Sequence, residues 1–439
     1  MGPVCLLLAS LANSALFAGA GEVWVGRAWV EGQRLEALVV TPQGAYALGD
    51  AETDEGLYSL APIPEGYVAV GFSGPQALVV WLGRDGTPRK ALRAGPGMLW
   101  FTDGRYAVGG LQGPDWDVWV LRLSDLRGWR YPALGEAYAY GAYWDGQALQ
   151  VVGRTRGAGG FDGFWLRLGP GGEAQGYQSG FPGNDYLRFV GPLGAVGRAE
   201  VAGDSEGAWL FPQVRRGVLW RRPGLDYFRM VRGYGLAWVL VGEAEVAGER
   251  RGLWLQGQRA WAAGPGLSAL RFLDAQHPVA YGFSYAQSLE GQGWVQQGPL
   301  PEPLKYRLEV WRLSPQALRW QPEAVRLNWQ GLGGVRPLLL PEQPCQGALQ
   351  ESSNFFRASA AGLPMFSGYT SQNRRRSSRP WMRKARRLPT RTLGRTTTLE
   401  TMPTPAPSNT SRLVTSWLSV WKTGLICSPA CSRAAPNTR

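Results

Sequence analysis

One pattern recurs seven times along this 439-residue chain and narrows what it can fold into. An apolar residue followed by glycine stands at Val25-Gly26, Val70-Gly71, Val108-Gly109, Val152-Gly153, Val196-Gly197, Val241-Gly242 and Tyr281-Gly282. The steps between these glycines run from 38 to 45 residues. Ten to twelve residues after each of the last six glycines comes a tryptophan: Trp81, Trp119, Trp165, Trp209, Trp254 and Trp294. In the first unit Leu38-Val39-Val40 takes that place. A fixed period of this length marks a protein built from stacked supersecondary units, each too small to bury its own faces.

The units parse into strands. Around the fourth glycine, Tyr140–Trp144 reads as a strand, Asp145-Gly146 as a turn, and Ala148–Gly153 as a second strand. Phe164–Leu168 alternates aromatic and polar residues as a third, and a glycine-rich turn leads to a fourth at Glu173–Tyr177. Asp-Gly and Gly-rich pairs between alternating runs are strong hairpin signals, and similar turns stand at Asp103-Gly104, Arg84-Asp85-Gly86 and Gln256-Gly257-Gln258. No segment carries a useful helical period. Four short strands per 38 to 45 residues, seven times over, predict an all-β, seven-bladed β-propeller of four-stranded antiparallel blades over residues 21–330. In that fold Gly26, Gly71, Gly109, Gly153, Gly197, Gly242 and Gly282 allow close backbone approach at the end of the second strand. The six tryptophans are expected to fill the gaps between twisted neighbouring sheets, as core and not as site. The first unit begins with its second strand, so a C-terminal strand, Leu308–Leu313 or better Ala324–Trp329, is expected to close the ring beside residues 22–30.

Gly160-Phe161-Asp162-Gly163-Phe164-Trp165-Leu166-Arg167-Leu168-Gly169-Pro170-Gly171-Gly172 resembles bacterial exported β-propeller repeats of the form D-x-W-L-x-x-L-d-x-x-G. Asp117-Val118-Trp119-Val120-Leu121-Arg122-Leu123 and Val80-Trp81-Leu82-Gly83-Arg84-Asp85-Gly86 are further matches, whereas later units keep only the tryptophan. The resemblance covers residues 21–330 and implies an architecture and an envelope or secreted location, with no activity attached.

The net charge of +13 suggests nucleic acid until it is located. Residues 1–350 hold 31 basic and 31 acidic groups, and residues 351–439 hold 15 against 2. The folded body is therefore neutral and lacks the electrostatic footprint of a nucleic-acid binder. The tail (residues 331–439 with its linker) is rich in Ser, Thr, Pro and Arg, including Arg374-Arg375-Arg376-Ser377-Ser378-Arg379. It reads as a disordered basic arm, a low-complexity cell-wall segment or an out-of-frame translation. At the other end Val4–Ala20 is almost wholly apolar, and Ala18-Gly19-Ala20 fits an export cleavage pattern. No Lys or Arg precedes Arg27, which leaves a start further upstream, an uncleaved anchor or a buried strand as alternatives. The expectation is an extracytoplasmic monomer whose only membrane-crossing candidate is its leader, residues 1–20.

Catalytic signatures are scarce. His277 is the single histidine and precedes Pro278 in a turn, so Ser-His-Asp, Cys-His and multi-histidine metal sites are absent. Cys5, Cys345, Cys427 and Cys431 all lie outside the repeat, so no disulfide or zinc framework is implied within it. No phosphate-binding, dinucleotide or calcium-loop motif occurs, Asp115-Trp116-Asp117 being the nearest approach to the last. No cofactor is expected. Paired carboxylates could still serve a glycan hydrolase or lyase, with Asp50, Asp54, Glu55, Asp185, Asp204 and Glu206 as loop candidates. The reading preferred on sequence is a non-catalytic module that binds a protein or glycan partner. Its candidate contact aromatics, expected on long connections, are Trp116, Trp129, Tyr177 and Tyr186. A cluster of acids in the central channel would favour the enzyme, and an aromatic patch on one face would favour binding.

Overall fold

The structure is a computed structural model. It describes residues 15–338, apart from 31–33, 51, 133–134, 158, 170, 180, 182, 212–215, 266, 275–276, 284–292, 298–299 and 313–316. Contacts divide the chain into two units, residues 1–344 and 345–439, the second wholly outside the described residues. The expectations for the basic tail and for all four cysteines fall outside them too.

The described residues contain no α-helix, and their strands form seven sheets, numbered 1 to 7 here in chain order. In sheets 1 to 6 four consecutive strands meander antiparallel from an inner to an outer position. Sheet 4, for example, runs Ala137–Trp144, Leu149–Gly157, Gly160–Leu168 and Ala174–Gln178, matching the four strands read from the sequence. Sheet 7 comprises Ala269–Leu273, Val279–Phe283 and Gly293–Gln297. Each inner strand packs against the preceding sheet, and Ala15–Ala20 of sheet 1 lies against all three strands of sheet 7. The backbone amide of Gly21 donates to Asp274 Oδ2 at 3.0 Å across the same junction. This arrangement is consistent with a β-propeller.

The hairpins follow from local chemistry. At Asp85, Asp103 and Asp145 the carboxylate Oδ1 accepts backbone N–H groups two or three residues on. An Asx turn of this kind reverses the chain and tolerates the positive φ of the glycine after the aspartate, +98° at Gly146. The register glycines have a different role. A Cβ on Gly153 would stand 1.8 Å from the Tyr138 carbonyl oxygen of the inner strand, and one on Gly197 would stand 1.7 Å from that of Tyr186. Contact this close admits only a hydrogen at the second-strand position.

Two expectations need correction. The inner position of sheet 1 is filled by Ala15–Ala20, paired antiparallel with Val23–Val30. Its Phe17, Ala18 and Ala20 are at most 5 % exposed. The first unit thus begins with its own inner strand and not with its second; the leader reading of the same residues is left open, since a fully buried strand and an export signal share one composition. The proposed closing strands lie elsewhere: Arg307–Arg312 pairs with Arg216–Arg221 in sheet 5, and Glu323–Val325 with Arg127–Tyr131 in sheet 3.

The C-terminal segment instead retraces the outer rim in reverse. Glu302–Pro303 joins sheet 6, Arg307–Arg312 sheet 5, Ala317–Trp320 sheet 4, Glu323–Val325 sheet 3, Gln330–Gly331 sheet 2 and Val335–Leu338 sheet 1. Each adds a fifth strand to a sheet expected to have four. This belt is tied on by ion pairs, Glu302 to Arg251, Glu323 to Arg130 and Arg336 to Glu36, each at 2.6 Å. Tyr306 also stacks on the fully buried Trp220 with ring centroids 4.0 Å apart.

Candidate functional site

The inner strands all depart from regular pairing at one place. In each of the seven sheets a register shift leaves a single inner-strand residue without a cross-strand partner. These residues are Phe17, Tyr58, Trp100, Tyr140, Arg188, Arg229 and Arg271 in sheets 1 to 7. A β-bulge re-aims a side chain, and here the repeated bulge gives every inner strand one such residue. Trp100, Tyr140, Arg188, Arg229 and Arg271, with Phe101, Phe189, Met230 and Phe272 next to them in sequence, line one central cavity.

The ring has two halves. Phe17, Tyr58, Trp100 and Tyr140 form an aromatic arc, with successive centroids 5.6, 4.6 and 6.1 Å apart. The other arc is guanidinium, and it meets the aromatic arc at both ends. Arg188 lies 3.9 Å from the centroid of Tyr140, and Arg271 lies 5.1 Å from that of Phe17 and 5.4 Å from that of Tyr58. Cations over ring faces at these distances are attracted by the ring quadrupole. Burial pushes the Tyr58 and Tyr140 phenols up, so both stay protonated at neutral pH.

Beside the ring the pattern continues across sheets 4 to 6. Arg154 lies over Tyr138, Tyr186 and Phe161, and Arg198 over Tyr186 and Tyr227. Arg188 Nε donates to the Tyr227 hydroxyl. Two carboxylates enter this cluster. Glu136 pairs with Arg154 at 3.0 Å, and Glu243 accepts from Arg229 Nε at 2.8 Å. Arg188 and Arg198 have no carboxylate partner among the described residues. The central cavity has a free volume of about 30 Å³, enough for a water molecule or two and not for a sugar ring. A ligand of this ring must therefore sit at its mouth.

The acids singled out from sequence go elsewhere. Glu55 is fully buried, accepts from Ser73 Oγ at 2.9 Å and faces Glu36 of the preceding sheet. Asp185 is bonded by Ser179 Oγ and faces Asp162. Glu206 pairs with Arg221 at 2.9 Å and faces Asp226. Each couple joins the third strand of one sheet to the start of the next sheet's inner strand, a repeated carboxyl pair at three sheet junctions. Burial and the facing charge push Glu55 up to about 7 and Asp226 up to about 8, and hold Asp185 well above the usual range. None of them lines the central cavity. Asp50 pairs with Arg93, and Asp54 Oδ1 accepts the Leu35 amide. Glu55, Asp204 and Glu206 are strand residues and not loop residues. So are Trp116, Trp129, Tyr177 and Tyr186, of which Tyr186 alone belongs to the arginine–tyrosine cluster. His277 is exposed beside Asp274. No group of three or more His, Cys, Asp or Glu among the described residues is placed to hold a metal.

The register tryptophans divide by face. Trp119 stands opposite Gly109, whereas Trp165, Trp209 and Trp254 stand opposite the residue before their glycine, and Trp81 opposite Val68. Side chains alternate along a strand, so Trp119 occupies the sheet face opposite to these four. Trp119 and Trp254 are buried, Trp209 is 6 % exposed, and Trp81 and Trp165 are half-buried. Trp294 pairs with Gly282 through its backbone, and its side chain lies outside the described residues.

The bulge ring was missed from sequence, although a signal exists. Leu, Ala or Phe followed by an aromatic residue or Arg stands nine to thirteen residues before every register glycine, as in Leu57-Tyr58, Leu99-Trp100 and Leu187-Arg188. Compared with known proteins, the chain matches no family model and no curated protein.

Proposed function

We propose that this chain is a seven-bladed β-propeller, closed where Ala15–Ala20 meets sheet 7, that acts outside the cytoplasm as a non-catalytic binding module for a protein or glycan partner. The observation that carries this reading is the central ring of four aromatic and three arginine side chains, one from each inner strand. Aromatic and arginine side chains are those most enriched at binding hot spots. The alternative is a hydrolase or lyase with paired carboxylates in the channel. It needs acids where this channel presents arginines, and none of the carboxyl pairs at the sheet junctions lines the central cavity. The resemblance to exported propeller repeats supports an envelope location. Export would leave residues 15–20 on the mature chain, because cleavage after Ala20 would remove the inner strand of sheet 1.

A glycan array probed with the full chain tests the binding reading. The expected result is retention of one class of oligosaccharide, weakened at least tenfold by Trp100→Ala, about 1.4 kcal/mol, with no shortening of the bound sugar. Chain cleavage of the retained glycan would move the assignment to the enzyme.

A further inference from the structure

Resting on the binding reading, we infer that the arginine–tyrosine cluster of sheets 4 to 6 is a recognition site for carboxylate-bearing saccharides, engaged at the mouth of the central ring. Arg188 and Arg198 are the residues that make the site acid-selective. Both lie on sheet 5, on neighbouring strands where Leu187 pairs with Gly197. Both are half-buried, and among the described residues their contacts are tyrosines: Arg188 with Tyr140 and Tyr227, Arg198 with Tyr186 and Tyr227. Arg154 and Arg229 flank them and are already matched by Glu136 and Glu243. The cluster therefore presents two guanidinium charges that the protein does not neutralise.

A guanidinium fork fits a planar carboxylate with two parallel hydrogen bonds. Around the forks, the half-buried Tyr138 and Tyr186 bring ring edges and hydroxyl groups, which suit the C–H groups and hydroxyls of a pyranose, while the buried Tyr140 backs Arg188. A nucleic acid would use guanidinium and ring faces as well, but it draws its affinity from a basic field. Residues 1–350 are electrically balanced, 31 basic against 31 acidic groups. The small central cavity, about 30 Å³, favours a chain end or a single acidic residue at the mouth over a threaded polymer.

Calorimetry on the full chain tests this with four probes: a hexuronate oligosaccharide, the matching neutral oligosaccharide, inorganic sulfate and a single-stranded oligonucleotide. The uronate is expected to bind and the neutral sugar to bind at least tenfold more weakly. Arg188→Met should weaken the uronate at least tenfold, Arg188→Lys should restore part of the loss, and binding should fade with added salt. Arg198→Met, melted alongside, is the second variant should Arg188→Met fail to fold. Equal binding of neutral and acidic sugars, unaffected by either methionine variant, would overturn the acidic assignment and leave glycan binding standing. Tighter binding of sulfate or the oligonucleotide would overturn it in favour of a general anion site. Failure of every oligosaccharide would remove both the inference and the glycan half of the functional reading.

Discussion

A chain ended after residue 299 should lose its cooperative thermal transition, even though it keeps every inner strand. The belt from Glu302 to Leu338 supplies the outermost strand of six sheets, and removing it bares six rows of backbone N–H and C=O groups. Such edges template association between chains. The loss extends beyond hydrogen bonds. Trp220, fully buried beneath Tyr306, would lose its covering ring, as would Phe164 beneath Trp320 with centroids 5.2 Å apart. Burial of one such aromatic contributes about 1.5–3 kcal/mol, which is a large share of an ordinary domain's net stability of roughly 5–15 kcal/mol. The ion pairs along the belt add little, at about 0–1 kcal/mol each for partly exposed partners. Light scattering and circular dichroism through a melt would check this. The truncated chain should aggregate at or near room temperature, and a sharp transition within a few degrees of the full chain would mean that the belt is decorative.

Stability should rise as the pH is lowered from 8.5 to about 5, the reverse of common acid lability. The groups responsible are the carboxyls held at the sheet junctions. Glu55 is raised from 4.5 to about 7 and Asp226 from 3.8 to about 8, with burial as the main cause and nearby carboxylates adding to it, Asp50 and Glu36 for Glu55 and Glu206 for Asp226. For an acid raised in the folded state, the folded chain binds more protons than the unfolded one between the two pKa values. The slope of unfolding free energy against pH is then negative. The stabilisation is complete below about pH 4 and is lost as pH climbs through 7 to 8. For Glu55 alone the shift corresponds to about 3 kcal/mol, or roughly 5–10 °C in Tm together with Asp226. Carboxylates lowered in the folded state, such as Asp125 at about 2 beside Arg122, act in the opposite sense and limit the gain on the acid side. Glu55→Gln keeps an oxygen for Thr53 and Ser73, so it should raise Tm at pH 8.5 and flatten the profile. A Tm that increases steadily from pH 5 to 8.5 would contradict the assignment.

The periodic part of this fold was legible because turns and alternation are local. Asp-Gly pairs, strand alternation and the apolar-glycine step set the hairpins of sheets 2 to 6 without any knowledge of their neighbours. The ends of the chain were not legible, for reasons of physics. Phe17–Ala20 is apolar throughout because all four residues are buried, and nothing local separates that from a secretion signal. The belt strands are short, Gln330–Gly331 being two residues, and they gain their conformation from the rim that they cover. The tryptophan register concealed a change of face, since Trp119 and Trp165 differ by one position in pairing while sharing the same motif. The functional ring was obscured by a bulge, which removes its residue from the two-residue alternation that identifies the rest of the strand. The carboxylates misled for a related reason, because acids in strands such as Glu206 read as surface loops until their partners across the sheet junction are known.

Ring closure through Ala15–Ala20 is the claim on which the remainder rests, and amide hydrogen exchange on the full chain tests it most directly. The amides of Phe17–Ala20 are expected to exchange as slowly as those of Val23–Ala28, with which they share a sheet. Exchange of residues 15–20 within seconds, while Val23–Ala28 stays protected, would show that sheet 1 begins at its second strand and that the ring is closed by some other means.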